Sequence, residues 1–321
     1  MIFEPKIFFQ SYQKDYHKVK AIYLKKMIEN LSKYGEEFFE KELNEDKLSE
    51  FRLTLKSDLR QTYFHAIETF FELFFALNPK DKQKYDDEFV LFTLTYSNWQ
   101  ETFKRIKEIA ENEDALDFLD EKIMFLGCDI TIGHYLFYMG IFSNDKFPQE
   151  VFENIKESIE AIKYGIRTIA TDFTKREEYN AYKHGLRIIP SVSKFMIADA
   201  NTMEVKMELD LSESMSFYVK TKLPDELKVV TKVFDAERDY QMTYFCSNLI
   251  NHLIFYRRIA MKFEKDNEKF TKIPITFFSK EQIEKCNIVN VDIADMVYTV
   301  TSDQNSSNKS KIKNNISTKE T

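Results

Sequence analysis

Residues 176–187 read REEYNAYKHGLR and carry guanidinium, ammonium, amide and imidazole groups at helical spacing. At about 100° per residue, five of these side chains fall on one helix face, while Tyr179 and Tyr182 point away from it. Cations bind the charged oxygens of a phosphodiester, and an imidazole near its own pKa can transfer the proton that cleavage requires. The alternative is a solvated face whose cations lie near the helix C-terminus. The five residues are Arg176, Asn180, Lys183, His184 and Arg187.

A second stretch, residues 60–77, reads RQTYFHAIETFFELFFAL and also places polar groups on one helix face. His65, Glu68 and Glu72 share that face, so a carboxylate could hold the imidazole in one tautomer. Arg60 projects about 140° away, with the apolar face. Because an unpaired buried charge is costly, Arg60 should pair with a carboxylate, extend its head to water or line a pocket. The residues alone favour a surface histidine and a structural arginine.

Other familiar sites have no support in the sequence. Phosphate-loop, dinucleotide-binding and zincin motifs are absent, and none of the five histidines has a glutamate three residues before it. The three cysteines, Cys128, Cys246 and Cys286, are far apart. We therefore predict no metal site and no cofactor. His134 is expected to be a hydrogen-bonded core histidine, and His252 either a core residue or part of a polar cleft.

The elements that must position these residues are predicted to be mainly helices, because the chain has only 6 Gly and 6 Pro. The first helix, residues 10–42, is predicted from apolar residues that include Tyr16, Val19 and Tyr23. Residues 86–96 fit either a helix or a strand. After Pro148, apolar residues spaced three and four apart predict a long helix that pauses near residues 171–175 and resumes through REEYNAYKHGLR. Further helices are predicted at residues 47–77, 97–112, 114–124, 130–142 and 236–265.

The period changes to two between residues 192 and 234, which predicts an antiparallel β meander. A small meander buries too little surface to be stable alone, so we expect it to pack on the helices. The predicted fold class is mainly α, a helical bundle with this meander packed on it. The predicted domains are a helical bundle over residues 1–190, the meander with a returning helix over 191–266, an extended segment over 267–300, and a disordered tail over 301–321.

Charge and hydropathy limit the functional classes. The formal charge of −7 argues against a globally basic nucleic-acid binder but leaves room for a local basic patch. The longest uncharged run, residues 130–144, is shorter than the roughly 20 residues of a membrane span. The N-terminus lacks the apolar run of a secretory signal. We therefore expect a cytoplasmic protein with no membrane partner.

Arg60 and His65, in RQTYFH, resemble the R-x4-6-H signature of the HEPN superfamily, and YNAYKHGLR resembles an N-x-x-K-H-G stretch of HEPN-like bacterial proteins. The resemblance covers roughly residues 10–190. It implies an all-α core of four or five helices, often dimeric, in which Arg and His from two subunits meet in a cleft. Many members are metal-independent endoribonucleases of toxin–antitoxin, abortive-infection and antiviral systems, and others only bind partners.

Carried over residue by residue, the resemblance implies that Arg60 steadies the scissile phosphate and His65 activates the ribose 2′-hydroxyl or protonates the leaving oxygen. Asn180, Lys183 and His184 would be auxiliary phosphate contacts. The resulting hypothesis is an endoribonuclease, or a degenerate relative, of a bacterial defence or toxin system, acting on RNA as a homodimer with a partner or antitoxin protein. The alternative is a non-catalytic helical module that binds another protein. A buried carboxylate on Arg60 together with a His184 side chain that faces open water would favour this alternative.

Overall fold

The computed structural model describes residues 5–78, 88–141, 147–175, 177–184, 188–190, 194–199, 202–211, 214–220, 226–265, 275–289, 295–301 and 313–315. The chain divides into two compact units. The first unit comprises residues 1–22, 62–175 and 240–288, and the second comprises residues 23–61, 176–239 and 289–321. The predicted domain boundaries stay predictions.

Within the described residues the fold is mainly α with short antiparallel strands, which confirms the predicted fold class. The helices predicted at residues 47–77, 97–112 and 236–265 are present, and the ambiguous segment near residue 90 is a helix. The helices are α1 Pro5–Ser11, α2 Tyr16–Glu29, α3 Leu31–Phe39, α4 Glu45–Leu77, α5 Glu88–Thr95, α6 Trp99–Glu111, α7 Ile132–Phe137, α8 Gln149–Thr174, α9 Glu177–His184, α10 Ala236–Lys265 and α11 Lys280–Cys286. Glu40–Glu42 and Glu113–Asp120 form 3-10 turns.

The strands of the second unit form antiparallel hairpins, as the alternating pattern predicts, but they divide between two sheets. One sheet has the order β3-β6-β7-β8-β9, and a separate hairpin pairs β4 with β5. Ser216 and Thr231 face each other across β6 and β7, and their buried hydroxyls lie 2.7 Å apart. These strands are β3 Ile188–Pro190, β4 Lys194–Ala198, β5 Val205–Asp210, β6 Ser214–Lys220, β7 Glu226–Val233, β8 Asp295–Thr301 and β9 Lys313–Asn315.

The C-terminal predictions need correction. The segment predicted to be extended contains the helix α11, which Ser279 caps by accepting a hydrogen bond from the Gln282 N–H at 3.2 Å. It also contains β8, which pairs along its length with β7. Within the tail predicted to be disordered, β9 pairs with β8. The remaining residues of that tail, 302–312 and 316–321, lie outside the described residues.

Two predicted helices of the first unit are wrong in part. The segment predicted at residues 114–124 forms a 3-10 helix, Glu113–Asp120, followed by β1, Lys122–Phe125, which pairs with β2, Cys128–Thr131. Leu126 and Gly127 between them both have positive φ, of 47° and 80°, as a two-residue type I′ hairpin loop requires. The helix predicted over residues 130–142 begins only at Ile132, where the Thr131 hydroxyl accepts from the His134 N–H at 3.1 Å.

The core of the first unit confirms the long apolar seam on α8. Six of the seven seam residues are buried, and Phe152 is half-buried. Gly165 on this helix lies against Phe245 of α10, and a Cβ at this glycine would clash with that ring. On α4 the predicted apolar face is fully buried, and Phe70 stacks on Phe74 with ring centroids 5.4 Å apart. The buried seam residues of α8 are Ile155, Ile159, Ile162, Ile166, Ile169 and Phe173.

No helix among the described residues combines the length and the apolar character that crossing a bilayer requires.

Candidate functional site

Arg60 lies in the second unit, where it pairs with Asp239 near the N-terminus of α10. Its Nε lies 2.8 Å from Oδ2 of Asp239, and the two side chains are 13% and 0% exposed. Of the three environments that the sequence allowed for Arg60, the structure therefore shows the pairing with a carboxylate. An arginine held in this way neutralises a buried charge. Its catalytic role stays a prediction, and this pairing does not support it.

The N-terminus of α10 explains why a carboxylate is buried there. Asp235 precedes the helix, and its side chain accepts from the Arg238 N–H at 3.0 Å, as an N-cap does. Asp239 follows in the first turn, where the helix dipole favours negative charge. On the exposed side of the same turn, Lys25 of α2 binds Glu237 at 2.8 Å. This end of α10 is thus an ion-pair cluster of the second unit.

His65 lies in the first unit and is exposed, on the polar face predicted for α4. Its ring lies edge-on to the ring of His17 on α2, with centroids 4.8 Å apart and an interplanar angle of 76°. Behind this pair, the hydroxyl of Thr69 lies 3.4 Å from Nε2 of His17. Two imidazoles, one exposed and one buried, therefore form a candidate site on α2 and α4, which we call the imidazole pair.

The two rings differ in their environment. His17 is only 3% exposed. Its burial, followed by the charges of His65 and Lys20, lowers its pKa to about 4. His17 is therefore neutral at pH 7, with one ring nitrogen able to accept a hydrogen bond and the other able to donate one. Only the exposed ring of His65 is accessible to a substrate.

The sequence prediction missed His17 because it assigned α2 the wrong buried face. The apolar residues Tyr16, Val19 and Tyr23 were expected in the core, yet all three are exposed. The buried face consists of His17, Ala21, Leu24 and Met27, of which the predicted apolar set included only Met27. This face also has helical spacing, at intervals of four, three and three residues. A histidine in phase with small and aliphatic residues was the signal that could have revealed the site.

The segment that carries His17 is locally basic within an acidic chain. Residues 14–26 contain five lysines and a single carboxylate, Asp15. Two of these lysines contact α10 within the first unit: Lys14, just before α2, donates to Asn251 at 3.0 Å, and Lys18 of α2 lies 4.4 Å from the ring centroid of Tyr244. Lys20 lies close enough to His17 to lower its pKa. The imidazole pair therefore has a cation beside it.

The opening stretch of the sequence is described only in part. In the second unit, Tyr182 of α9 packs on Phe217 and Phe234, with ring centroids 5.5 and 6.5 Å away. Tyr179 is buried and Asn180 is exposed, as the predicted helix phase requires. For Lys183 and His184 the structure describes only the helical backbone, and Arg176 and Arg187 lie outside the described residues. The exposure of Asn180 agrees with the predicted helix phase, and the phosphate-binding role of all five residues stays a prediction.

The other described histidines belong to the core. His134 donates from Nε2 to the carbonyl of Ile141, and burial lowers its pKa. His252 lies with its ring centroid 4.6 Å from that of Phe278, and burial lowers its pKa to about 4. Both therefore follow the core interpretation, so the imidazole pair is the better candidate for proton transfer.

Within the part of the chain that the structure describes, no group of three or more His, Cys, Asp or Glu side chains could hold a metal ion. No protein-family model matches the chain, and neither curated proteins nor solved structures match it significantly. The resemblance to the HEPN superfamily therefore rests on the two motifs alone.

Proposed function

We propose that the protein is a HEPN-like, metal-independent endoribonuclease whose proton-transfer centre is the imidazole pair. The observation that carries the proposal is the exposed ring of His65 against the neutral ring of His17, with Lys20 nearby. RNA carries its own nucleophile, the 2′-hydroxyl, so cleavage requires a base, an acid and stabilisation of the phosphate charge. The two motifs that resemble HEPN proteins support the same chemistry.

In the proposed step, His65 accepts the proton of the 2′-hydroxyl, and the 2′-oxygen forms a bond to phosphorus. The bond between phosphorus and the 5′-oxygen breaks, and the proton passes from the imidazole to that leaving oxygen. The products are a 2′,3′-cyclic phosphate and a 5′-hydroxyl. Lys20 stabilises the charge on the phosphate. His17 is a positioning residue, because it contacts His65 and is itself buried.

The proposal differs from the motif-based hypothesis at Arg60, which it leaves out of the chemistry because the ion pair with Asp239 favours a structural role. Asn180, with Lys183, His184, Arg176 and Arg187, belongs to the second unit and remains a separate proposed phosphate-binding face. A homodimer, an antitoxin-like partner, a cytoplasmic location and a role in bacterial defence also belong to the proposal, on the strength of the resemblance.

The test is cleavage of an end-labelled mixed-sequence RNA in the presence of a chelator. We expect the wild type to release fragments that end in a 2′,3′-cyclic phosphate. His65→Gln should lower the rate by about 10²- to 10⁴-fold, as loss of a general base does. Glu50→Gln is the matched control, because Glu50 is exposed on the same helix. An inert wild type, or equal rates for wild type and His65→Gln, would refute the proposal.

A second candidate is a non-catalytic helical module that binds another protein. The specific observation in its favour is the burial of Arg60 against Asp239, because one half of the R-x4-H signature then serves folding. Under this candidate the wild type neither cleaves nor binds RNA, and His65→Gln gives the same result in both assays.

A further inference from the structure

An exposed aromatic ring lies beside the imidazole pair. Tyr16 is the first residue of α2, and 48% of its surface is exposed. Its ring centroid lies 5.1 Å from that of His17 and 6.2 Å from that of His65. Both imidazoles meet it at a steep angle, 84° and 81°, which is an edge-to-face arrangement. The two rings thus hold Tyr16 in place while much of its surface faces solvent.

Core packing does not explain a tyrosine at this position. The buried face of α2 begins with the next residue, His17, and continues through Ala21 and Leu24. An aromatic ring of large area that is fixed by its neighbours and half-exposed is suited to bind a flat partner by stacking. Nucleic-acid bases stack on such rings irrespective of their identity, because every base has a π-face.

On the basis of the proposed function, we infer that Tyr16 determines specificity by stacking on an unpaired base next to the phosphate that His65 attacks. Neighbouring bases along a strand rise by about 3.4 Å, so a ring 6.2 Å from His65 lies within roughly two nucleotides of the scissile bond. A base inside a duplex is already stacked and paired, and it cannot offer its face to a side chain. The inferred substrate is therefore RNA that is unpaired at the cleavage site.

The experiment measures binding and cleavage separately. Binding is followed by fluorescence anisotropy on a 2′-O-methyl RNA oligonucleotide, which cannot be cleaved, and on the same oligonucleotide annealed to its complement. Cleavage is followed on the corresponding unmodified RNA, again single-stranded and annealed. The variants are Tyr16→Ala and Tyr16→Phe. The matched control is Tyr96→Ala, because Tyr96 is an exposed tyrosine of the same unit.

We expect Tyr16→Ala to weaken single-strand binding by roughly 5- to 100-fold, which is the usual effect of losing one stacking ring. It should raise KM with a smaller effect on kcat, because stacking is made in the ground state and in the transition state alike. Tyr16→Phe keeps the ring and should bind like the wild type, as should Tyr96→Ala. The annealed oligonucleotide should bind the wild type more weakly than the single strand does. Tyr16→Ala should not weaken the binding of the annealed oligonucleotide further.

Each outcome bears on one claim. Cleavage of RNA by the wild type with no effect of Tyr16→Ala, or equal cleavage of single and annealed strands, overturns this inference and leaves the proposed function intact. Tyr16-dependent binding of the single strand without any cleavage supports stacking and refutes the proposed function. A wild type that neither binds nor cleaves RNA refutes both.

Discussion

Arg60 and His65 are five residues apart on α4, yet their surroundings differ completely. Arg60, in the second unit, lies against a carboxylate with no solvent exposure. His65, in the first unit, is exposed beside a neutral imidazole. A sequence signature that treats the two residues as one catalytic unit therefore joins groups in different environments. The solvent exposure of a side chain and the group that it contacts decide whether it can stabilise the fold or bind a substrate.

The energetic consequences of a substitution differ between the buried Arg60 and the exposed His65. A buried ion pair contributes little net stability, but removing one partner leaves an uncompensated charge in the interior. An exposed imidazole has no such constraint, because water solvates both of its protonation states. Substitutions at Arg60 should therefore change stability first, and substitutions at His65 should change chemistry with little effect on stability at pH 7.

The largest effect on stability is expected for Arg60→Ala, which leaves the carboxylate of Asp239 buried without its cation. We predict a decrease of about 3–5 kcal/mol in the free energy of unfolding, measured by urea denaturation. The control is Arg60→Met combined with Asp239→Leu, which removes both charges and should be more stable than Arg60→Ala. An Arg60→Ala protein of full stability that no longer cleaves RNA would reverse the comparison and make Arg60 catalytic.

The next effect concerns pH, because His17 titrates differently in the folded and unfolded chain. Its pKa falls from about 6.5 when unfolded to about 4 when folded, so below pH 6.5 the unfolded state gains a proton that the folded state does not. The stabilisation is complete above pH 6.5 and decreases as the pH falls to 4, by at most about 3 kcal/mol. Urea denaturation between pH 7 and pH 4 measures it.

His17→Gln should remove this part of the pH dependence. The matched control is His252→Gln, because burial also lowers the pKa of His252 to about 4 at a different place in the first unit. His65→Ala should raise the pKa of His17, since it removes a charge that lowers it; NMR titration of the imidazole detects the change. A stability profile that His17→Gln leaves unaltered would contradict the assigned environment.

A smaller effect is expected for Tyr63→Phe. Tyr63 lies between Arg60 and His65 in the sequence, is fully buried, and donates to the Asp172 carboxylate at 2.6 Å. Loss of this hydrogen bond should lower the free energy of unfolding by about 1–3 kcal/mol, by the same measurement. Tyr23→Phe, at an exposed position, serves as the control. If Tyr63→Phe abolished RNA cleavage at unchanged stability, Tyr63 would act in the reaction and not in folding, which would contradict its structural role.

The smallest effect is expected for Lys25→Ala, which breaks the exposed pair with Glu237 at the same helix end as the buried pair. The side chains are 26% and 49% exposed, so solvent screens the attraction. We predict a loss below about 1 kcal/mol, and a smaller loss in high salt. A loss as large as that of Arg60→Ala would show that burial does not separate the two pairs.

The sequence predicts well those elements whose hydrophobic pattern fits only one type of secondary structure and one buried face. On α4, the aromatic face and the polar face around His65 are both observed, because 3.6-residue periodicity over a long helix leaves little freedom in phase. The seam on α8 and both ends of α10 follow for the same reason. The hairpin after residue 122 was missed because its turn depends on positive φ at Leu126 as well as Gly127, which residue type alone does not indicate.

The candidate site was only half predictable. His65 is recognisable from its helix face, whereas His17 depends on the phase of α2, where two sets of residues compete for the core. The set with Tyr16 and Val19 contains the aromatic rings, and the set with His17 and Ala21 is the buried one. Steric fit against neighbouring helices decided this competition, and it is invisible in one helix considered alone.

The sequence by itself determined a mainly helical chain, the aromatic face of α4, the seam of α8 and the exposure of His65, because periodicity acts within one segment. Tertiary structure alone decided that Arg60 meets Asp239, that His17 lies beside His65, and that Tyr16 remains exposed next to both. Arg60 and Asp239 are 179 positions apart, His17 and His65 are 48 apart, and Tyr16 and His65 are 49 apart. Contacts over such separations depend on packing and burial, which local patterns do not encode.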